Sequence, residues 1–380
     1  MKLAFWRTKA AAMPGPRIPD WASPVGGDGS DGRGYAAEVR AAFLGNPVAA
    51  RAIRMVTESA GGAPIRVQPA ACAHPAAALL ASCGHGASGP GLIEVLAGQM
   101  LLHGNAYVDA VCGADGLPAA LFALRPERVS VEVDDNGWPR HYLYRAGTHQ
   151  HRYPATSGND GPGLLHIRSF HPLDDHLGAG CLGAAAGPVA VHNAAARWNR
   201  ALLDNAARPS GALVYQNGEN APLSPEQFER LRAEMDRMFS GAANAGRPLL
   251  LEGGLSWQAL SLSPAEMDFG GMREAAARDI ALALGVPPLL LGLKGDATYS
   301  NYREANVALW RLTLLPLLTR LLGALEAHLR WWWPDLVLRV DKDAIPALAE
   351  DRARLWREVA AADFLDADEK RALLGLEVRA

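Results

Sequence analysis

Between Val307 and Leu329 lies the most leucine-rich stretch of the chain, long enough as one helix to span a domain. So apolar a run must be buried, in lipid or in protein. Arg311, Arg320 and Glu326 interrupt it, and charges are poorly tolerated inside a bilayer. The segment therefore predicts a core helix of a soluble protein, starting near Asn301 and running to about Trp331. Pro316 falls in its middle, where a missing N–H forces a kink. The rest of the chain must pack around that kinked helix, and 380 residues suffice for a sizeable core.

Helix boundaries are legible elsewhere. Asn46-Pro47 supplies an N-cap and a proline at the first helical position, with Gly61-Gly62 at the end. Ser224-Pro225-Glu226-Gln227 and Ser263-Pro264-Ala265-Glu266 both have the form of a capping box. The second predicts a helix ending at Gly285-Val286-Pro287-Pro288. Pro188 opens a further helix to about Ala207, with Val191, Ala195, Trp198 and Leu202 at helical spacing. Strands are read at Pro64–Val67, Ala106–Val111 and Leu164–Arg168. Val129, Val131 and Val133 alternate with polar residues, and Asn136-Gly137 turns them into His141–Tyr144. Gly211–Tyr215 is strand-like, and Leu249–Leu251 with Trp257–Leu260 reads as a hairpin around Gly253-Gly254. The fold class is α+β.

Charge narrows the function. The net charge of −3 gives no bulk attraction to nucleic acid, and 32 Arg against 5 Lys are scattered through every segment. Cys72, Cys83, Cys112 and Cys181 form no Cys-x-x-Cys pair, which fits a reducing compartment. Residues 1–34, rich in proline and then glycine, read as a flexible arm, and Met1–Arg7 lacks the apolar core of a signal peptide. No phosphate-cradling Gly-x-x-x-x-Gly-Lys-Ser/Thr and no Gly-x-Ser-x-Gly elbow occurs. His149, His151, His166, His171 and His176, with Asp174 and Asp175, are the one cluster from which a zinc hydrolase could be built. Their spacing matches no helical His-x-x-x-His pair, so surface or turn histidines are the simpler reading. Trp331-Trp332-Trp333, ahead of Pro334, reads as packing rather than a base-stacking platform.

Several motifs fall in one order: Gly45-Asn46-Pro47-Val48, Leu102-His103-Gly104-Asn105-Ala106-Tyr107, Leu124-Arg125-Pro126-Glu127-Arg128-Val129, and Ala207-Arg208-Pro209-Ser210-Gly211. Then come Leu249 to Gly254, Ile280 to Leu291 with its Gly-Val-Pro-Pro, and Thr298-Tyr299-Ser300-Asn301 before Thr313-Leu314-Leu315-Pro316. Together they resemble the portal proteins of tailed phages, in the family typified by a lambda-like siphovirus. The compact size and short termini resemble a small portal of the gene transfer agent kind.

The resemblance implies a portal fold: flexible arm 1–34, α/β wing 35–187, stem helix 188–210, α/β clip 211–262 and second stem helix 263–291. A tunnel loop 292–300, a long kinked helix with a following strand 301–340, and a short helical crown 341–380 complete it. It also implies a non-enzymatic conduit without cofactor or metal. About a dozen copies would close a ring at one capsid vertex through which double-stranded DNA passes in packaging and ejection. The implied partners are the major capsid protein, a head–tail adaptor, the large terminase subunit and DNA without regard to sequence. No membrane is involved, and the ring is assembled in the bacterial cytoplasm into a virion. Lys294, Thr298, Tyr299, Ser300 and Asn301 would meet phosphate oxygens. Glu266, Arg273, Arg278 and Asp279 would suit ion pairs between subunits. Two alternatives are a metal-dependent hydrolase on the 149–176 histidines and a structural adaptor that never meets DNA.

Overall fold

A computed structural model describes residues 32–69, 74–81, 90–156, 158, 161–204, 211–215, 224–239, 255–259, 268–293 and 298–375. Helix α1 (Gly32–Val39) runs into a π-helical segment, Arg40–Leu44, and α2 (Pro47–Gly61) follows. Asn46 caps α2 as its sequence requires, its Oδ1 accepting from the Val48 and Ala49 N–H groups at 3.0 Å each. Strand β1 (Ile65–Gln68), α3 (Pro75–Ala81) and α4 (Leu92–Leu102) come next. Five strands cover the following stretch: β2 (Asn105–Cys112), β3 (Pro118–Leu124), β4 (Val129–Val133), β5 (Pro139–Ala146) and β6 (His149–Pro154). After β7 (Leu165–Arg168) and a long loop, α5 (Leu182–Asp204) begins.

The second half contains β8 (Gly211–Tyr215), α6 (Pro225–Phe239), β9 (Leu255–Ala259) and α7 (Phe269–Ala283). A single helical run is then built from α8 (Tyr299–Ala308), a π-helical segment Leu309–Leu314 and α9 (Leu315–Leu329). Strand β10 (Val337–Val340), α10 (Ala349–Ala361) and α11 (Ala367–Leu374) close the described chain. All the sheets are antiparallel and small, ordered β3-β2-β7, β4-β5-β6, β1-β10 and β8-β9.

The leucine-rich helix is the keel of the core. Leu314, Leu318, Leu321, Leu322, Leu325 and Leu329 are buried against Ile53 and Val56 of α2, Leu92 and Leu96 of α4, and Ile280 of α7. By length and composition Ser300–Leu329 could cross a membrane, but these leucines bury their side chains within the protein. Glu326 is held within the fold, accepting from the Leu338 N–H at 2.9 Å and pairing with Arg330 and Arg339. Leu321→Ala should cost about 2–5 kcal/mol, read as a shift in urea midpoint; a change under about 1 kcal/mol would mean that the site collapses freely.

Pro316 acts differently from the expected simple kink. The turns before it open into a π-helix, so that the Leu315 N–H donates to the Trp310 carbonyl five residues back. Widening the helix there absorbs the carbonyl that a proline cannot satisfy. Two helix starts also move. The helix expected from Pro188 begins at Leu182, with Pro188 inside it. Leu182, Ala185 and Val189 are buried in the core, and that packing overrides the preference of proline for a first turn. The described part of the helix expected from Ser263 begins at Phe269. Asp268 is its N-cap, at φ 40°, and accepts from the Gly271 N–H. Residues 263–267, with the expected capping box, lie outside the described residues, as does the 249–251 arm of the expected hairpin. The other arm, β9, pairs with β8.

The Asn136-Gly137 hairpin is present, with Gly137 at φ +84° and Asp134 Oδ1 accepting from the N–H groups of Asn136 and Trp138. Helices α1 and α3 and strand β3 had no counterpart in the sequence reading. The Ser224 capping box is realised in both directions, at 3.0 and 3.2 Å.

Candidate nucleic-acid interface and its stem

Helices α5 and α7 pack as an antiparallel pair. Trp198, late in α5, lies 5.8 Å from Phe269 at the start of α7. His192, farther back in α5, feels the charge of Arg273, farther along α7. At the far end of this pair the chain turns through β8, α6 and β9, so two helices bracket a small insert containing paired strands. At the near end, α7 stops at Leu284-Gly285, a short 3-10 turn spans Pro288–Leu291, and Gly292 adopts φ +72°.

Lys294 falls among residues 294–297, outside the description. Thr298 is the N-cap of α8, its Oγ1 accepting from the Asn301 N–H at 3.2 Å. Ser300 is exposed, Asn301 is half-buried, and Tyr299 opens the helix with a side chain outside the description. The predicted phosphate-facing residues thus form the first turn of a helix, the end whose free N–H groups and dipole favour an anion. The Thr298 oxygen accepts in the cap, a role the sequence reading did not assign, and its O–H remains available to donate.

The expected inter-subunit charges are less uniform. Arg278 pairs with Glu274 one turn earlier in the same helix, at 3.0 Å. Arg273 is half-buried with no hydrogen-bond partner for its Nε among the described residues, and Asp279 is exposed. Glu266 lies outside the description.

Two buried polar joints hold the stem and the loop after β7 to the sheet and helices that carry them. Asn46, 1% exposed, caps α2 with Oδ1 while its Nδ2 reaches His192 Nδ1 at 3.1 Å and Asn193 Oδ1 at 3.0 Å on α5. Asn193 in turn donates to the Ala41 carbonyl. Asn105 does the same for the loop before α5. Its Oδ1 accepts from the Gly178 N–H at 2.7 Å and His166 Nε2 at 3.0 Å; its Nδ2 donates to the Gly178 carbonyl and to His103 Nδ1. These contacts fix the tautomers, leaving His166 Nδ1 to accept from the Tyr142 hydroxyl. Burial pushes His103 down to about 4 and His166 to about 3, so both stay neutral near pH 7. Backbone meets backbone here: a Cβ on Gly104, at φ +79°, would sit 2.2 Å from the Ala179 carbonyl carbon. The Gly-Asn pairs were visible in the sequence, but their second partners, more than seventy residues away, were not.

The histidines of the hydrolase alternative disperse. His149 and His151 are exposed on β6, His171 Nδ1 accepts from the Leu173 N–H, and His166 stacks on Tyr107 at 4.3 Å. No group of three or more His, Cys, Asp or Glu side chains converges among the described residues. Trp332 and Trp333 pack on the core as expected, whereas Trp331 is half exposed.

A family comparison matches residues 47–375 to the family described as phage portal protein. The chain belongs to that family. The portal match covers the helices, sheets and loop just described, from the Asn46-capped α2 to α11. An uncharacterized protein of Rickettsia felis is 38% identical over 341 residues, 88% of each chain. A probable portal protein of Streptomyces phage phiC31 is 30% identical over 160 residues, 42% of this chain and 34% of that one. Among solved structures, a chain in the virion of a native gene transfer agent particle is 46% identical, with TM-score 0.68, covering 94% of this chain and 96% of that one. The neck of the native particle, computed with C12 symmetry, matches at TM-score 0.67 and 46% identity, covering 92% and 95%. An HK97-family phage portal protein from Corynebacterium diphtheriae, 18% identical, shares the fold at TM-score 0.57, covering 82% of this chain and 97% of that one. Portal proteins are structural parts of a particle, and this one is not an enzyme.

Proposed function

We propose that this portal protein closes a ring of about twelve copies at one capsid vertex of a phage or gene transfer agent particle. Double-stranded DNA passes through that ring during packaging and leaves through it. The observation that carries the reading is the 46% identity over nearly the whole chain to a portal-sized chain in a particle neck computed with C12 symmetry. The antiparallel α5–α7 pair forms the stem wall, the insert of β8, α6 and β9 is the clip, and α10 with α11 is the crown. Residues 292–300 are the tunnel loop at the axis. Lys294 and the first turn of α8 (Thr298, Tyr299, Ser300, Asn301) touch the phosphate backbone without reading bases. Such contacts must be weak, because a duplex has to slide past them, and a near-neutral chain suits that need. Glu266, Arg273, Arg278 and Asp279 lie along the stem where neighbouring copies meet.

With no phosphate-cradling Gly-x-x-x-x-Gly-Lys-Ser/Thr in its sequence, the ring takes its driving force from the large terminase subunit docked beneath it. The major capsid protein surrounds it, and a head–tail adaptor binds near the clip once the capsid is full. Assembly takes place in the bacterial cytoplasm and the ring ends in the virion.

Replacing Lys294 and Thr298 together by alanine tests the reading. Packaged DNA per particle should fall about tenfold or more with rings intact under negative stain, since each phosphate contact contributes to hold on the duplex. Lys294→Ala alone leaves the Thr298 cap in place and should still lower packaging, which separates DNA contact from a lost cap costing about 1 kcal/mol. Full packaging by the double variant would point to an adaptor that never meets DNA.

A further inference from the structure

An apolar knob and an apolar groove leave the same end of one sheet from opposite edges. In the sheet β3-β2-β7, Tyr107 pairs with Leu124 at the end of β3 and Asn105 pairs with Arg168 at the end of β7. Both outer strands therefore finish beside the start of β2, separated by it, about 10 Å apart.

The loop after β7 carries the knob. Phe170 is 82% exposed and Leu173 80% exposed. Their exposure does not come from a loose loop. The Ser169 N–H donates to the Gly104 carbonyl at 2.8 Å, and Arg320 reaches the Ser169 hydroxyl. Asp174 Oδ1 accepts from the N–H groups of His176 and Leu177 at 2.7 and 2.8 Å, Arg168 donates to the Asp175 carbonyl, and Asn105 clamps Gly178. Large apolar side chains held rigidly in water mark an interaction surface.

Beyond the end of β3 lies an open groove of about 410 Å³, lined by Tyr35, Val39, Val95 and Leu102. Two guanidinium groups, Arg40 and Arg125, stand at it against one carboxylate, Glu127, which Arg125 reaches at 4.0 Å. Asp174 and Asp175 follow Leu173 directly and give the knob two carboxylates, while Arg168 and Arg320 stand at its base.

We propose that the Phe170–Leu173 knob of one copy seats in the Tyr35–Val39–Val95–Leu102 groove of the next, with Asp174 and Asp175 turned toward Arg40 and Arg125. This rests on the ring reading above. A ring needs head-to-tail contacts, in which one flank of a copy meets a different flank of its neighbour. Features on opposite edges of one sheet are arranged for that, and the intervening β2 keeps a knob from its own groove. The occupant is a second copy because the carboxylates beside the knob suit the guanidinium groups at the groove, and because a solved relative comes from a neck computed with C12 symmetry, in which rotation brings different flanks of identical copies together.

Full-length protein with Cys72, Cys83, Cys112 and Cys181 replaced by serine and carrying Leu173→Cys and Val95→Cys, treated with a short bismaleimide, should give a ladder of covalent multimers. Each single variant on that background and the cysteine-free parent should give none. Phe170→Asp with Leu173→Asp should reduce the number of rings about tenfold or more under negative stain while circular dichroism stays that of the wild type. Rings that form normally from the double aspartate variant overturn the contact, even if they then fail to enter particles, because another virion protein is then the occupant. Cross-linking confined to monomers overturns it as well. Wild-type rings without the ladder sink this contact alone, whereas wild-type chains that never form rings sink the portal ring with it.

Discussion

Asn105→Ala lowers the stability of the N-terminal body by about 3–5 kcal/mol. The residue is 1% exposed. Removing its amide strands the Gly178 N–H and carbonyl, the His166 Nε2–H and the His103 Nδ1, all in the protein interior. Each buried group left without a partner costs about 1–3 kcal/mol, and losses within one network couple rather than simply add. The Gly104–Gly178 backbone approach leaves no room for a side chain to substitute for the lost bonds, though a water could enter the vacated space. Urea unfolding followed by circular dichroism measures the loss, and limited proteolysis at residues 169–177 reports the released loop. A midpoint shift worth less than about 1 kcal/mol, with the loop still protected, would show that a water replaces the amide fully.

Acidification from pH 7 to pH 5 removes stability through four histidines: His192, lowered by burial and then by the charge of Arg273, and three that are shifted further. His103 and His328 are held down to about 4 and His166 to about 3, chiefly by burial; Arg168 and then His103 add to the effect at His166. The unfolded chain protonates each near pH 6.5 while the folded chain does not, so below that value the unfolded state binds more protons and stability falls as pH falls. The loss starts near pH 6.5 and levels off once the pH drops below the folded values, near 4 to 3. At pH 5 each of these three contributes about 2 kcal/mol at most, and together about 3–6 kcal/mol. Asp343, lowered first by its hydrogen bond from Arg352, adds loss in the carboxylate range, and Glu38, raised by burial, opposes it there. His328→Phe provides the discriminating measurement. The imidazole Nε2 has no hydrogen-bond partner among the described residues, and its ring lies 5.8 Å from Trp332, so an apolar ring fits the site. The urea midpoint of that variant should depend on pH about a third less steeply between 7 and 5. An unchanged slope would mean that His328 is protonated in the fold.

Local rules read much of this chain correctly, and their failures share a cause. The Asn46 cap, the Ser224–Gln227 box and the Asn136-Gly137 turn are settled by neighbours in sequence, and each appears as expected. Pro188 was misread as a helix start because only its own turn was visible, while the burial of Leu182 and Ala185 that extends the helix backward depends on distant packing. Strand β3 carries Pro118 and three alanines and has no alternating pattern; its pairing with β2 makes it a strand. The segment proposed to face DNA was legible as a polar, glycine-containing turn before a helix, but spacing could not show that Thr298 caps that helix. The groove beneath Tyr35 was invisible, since α1 starts inside the 1–34 arm and carries no capping or periodic signal that the sequence reading could use.

The two-stranded sheet β1-β10 has a consequence for how the protein is made. Arg66 and Asp341, 275 positions apart in the chain, meet at 2.8 Å across it. A ribosome releasing the polypeptide from its N-terminus must therefore emit almost everything else, including both long helices and the segment between them, before that sheet can close. Until then, the partners of α2 and α4 on α9 are still unmade, and their apolar faces stay open to solvent. Such late, long-range closure is slow and prone to aggregation, so nascent chains stalled before residue 340 should be strong clients for holding chaperones.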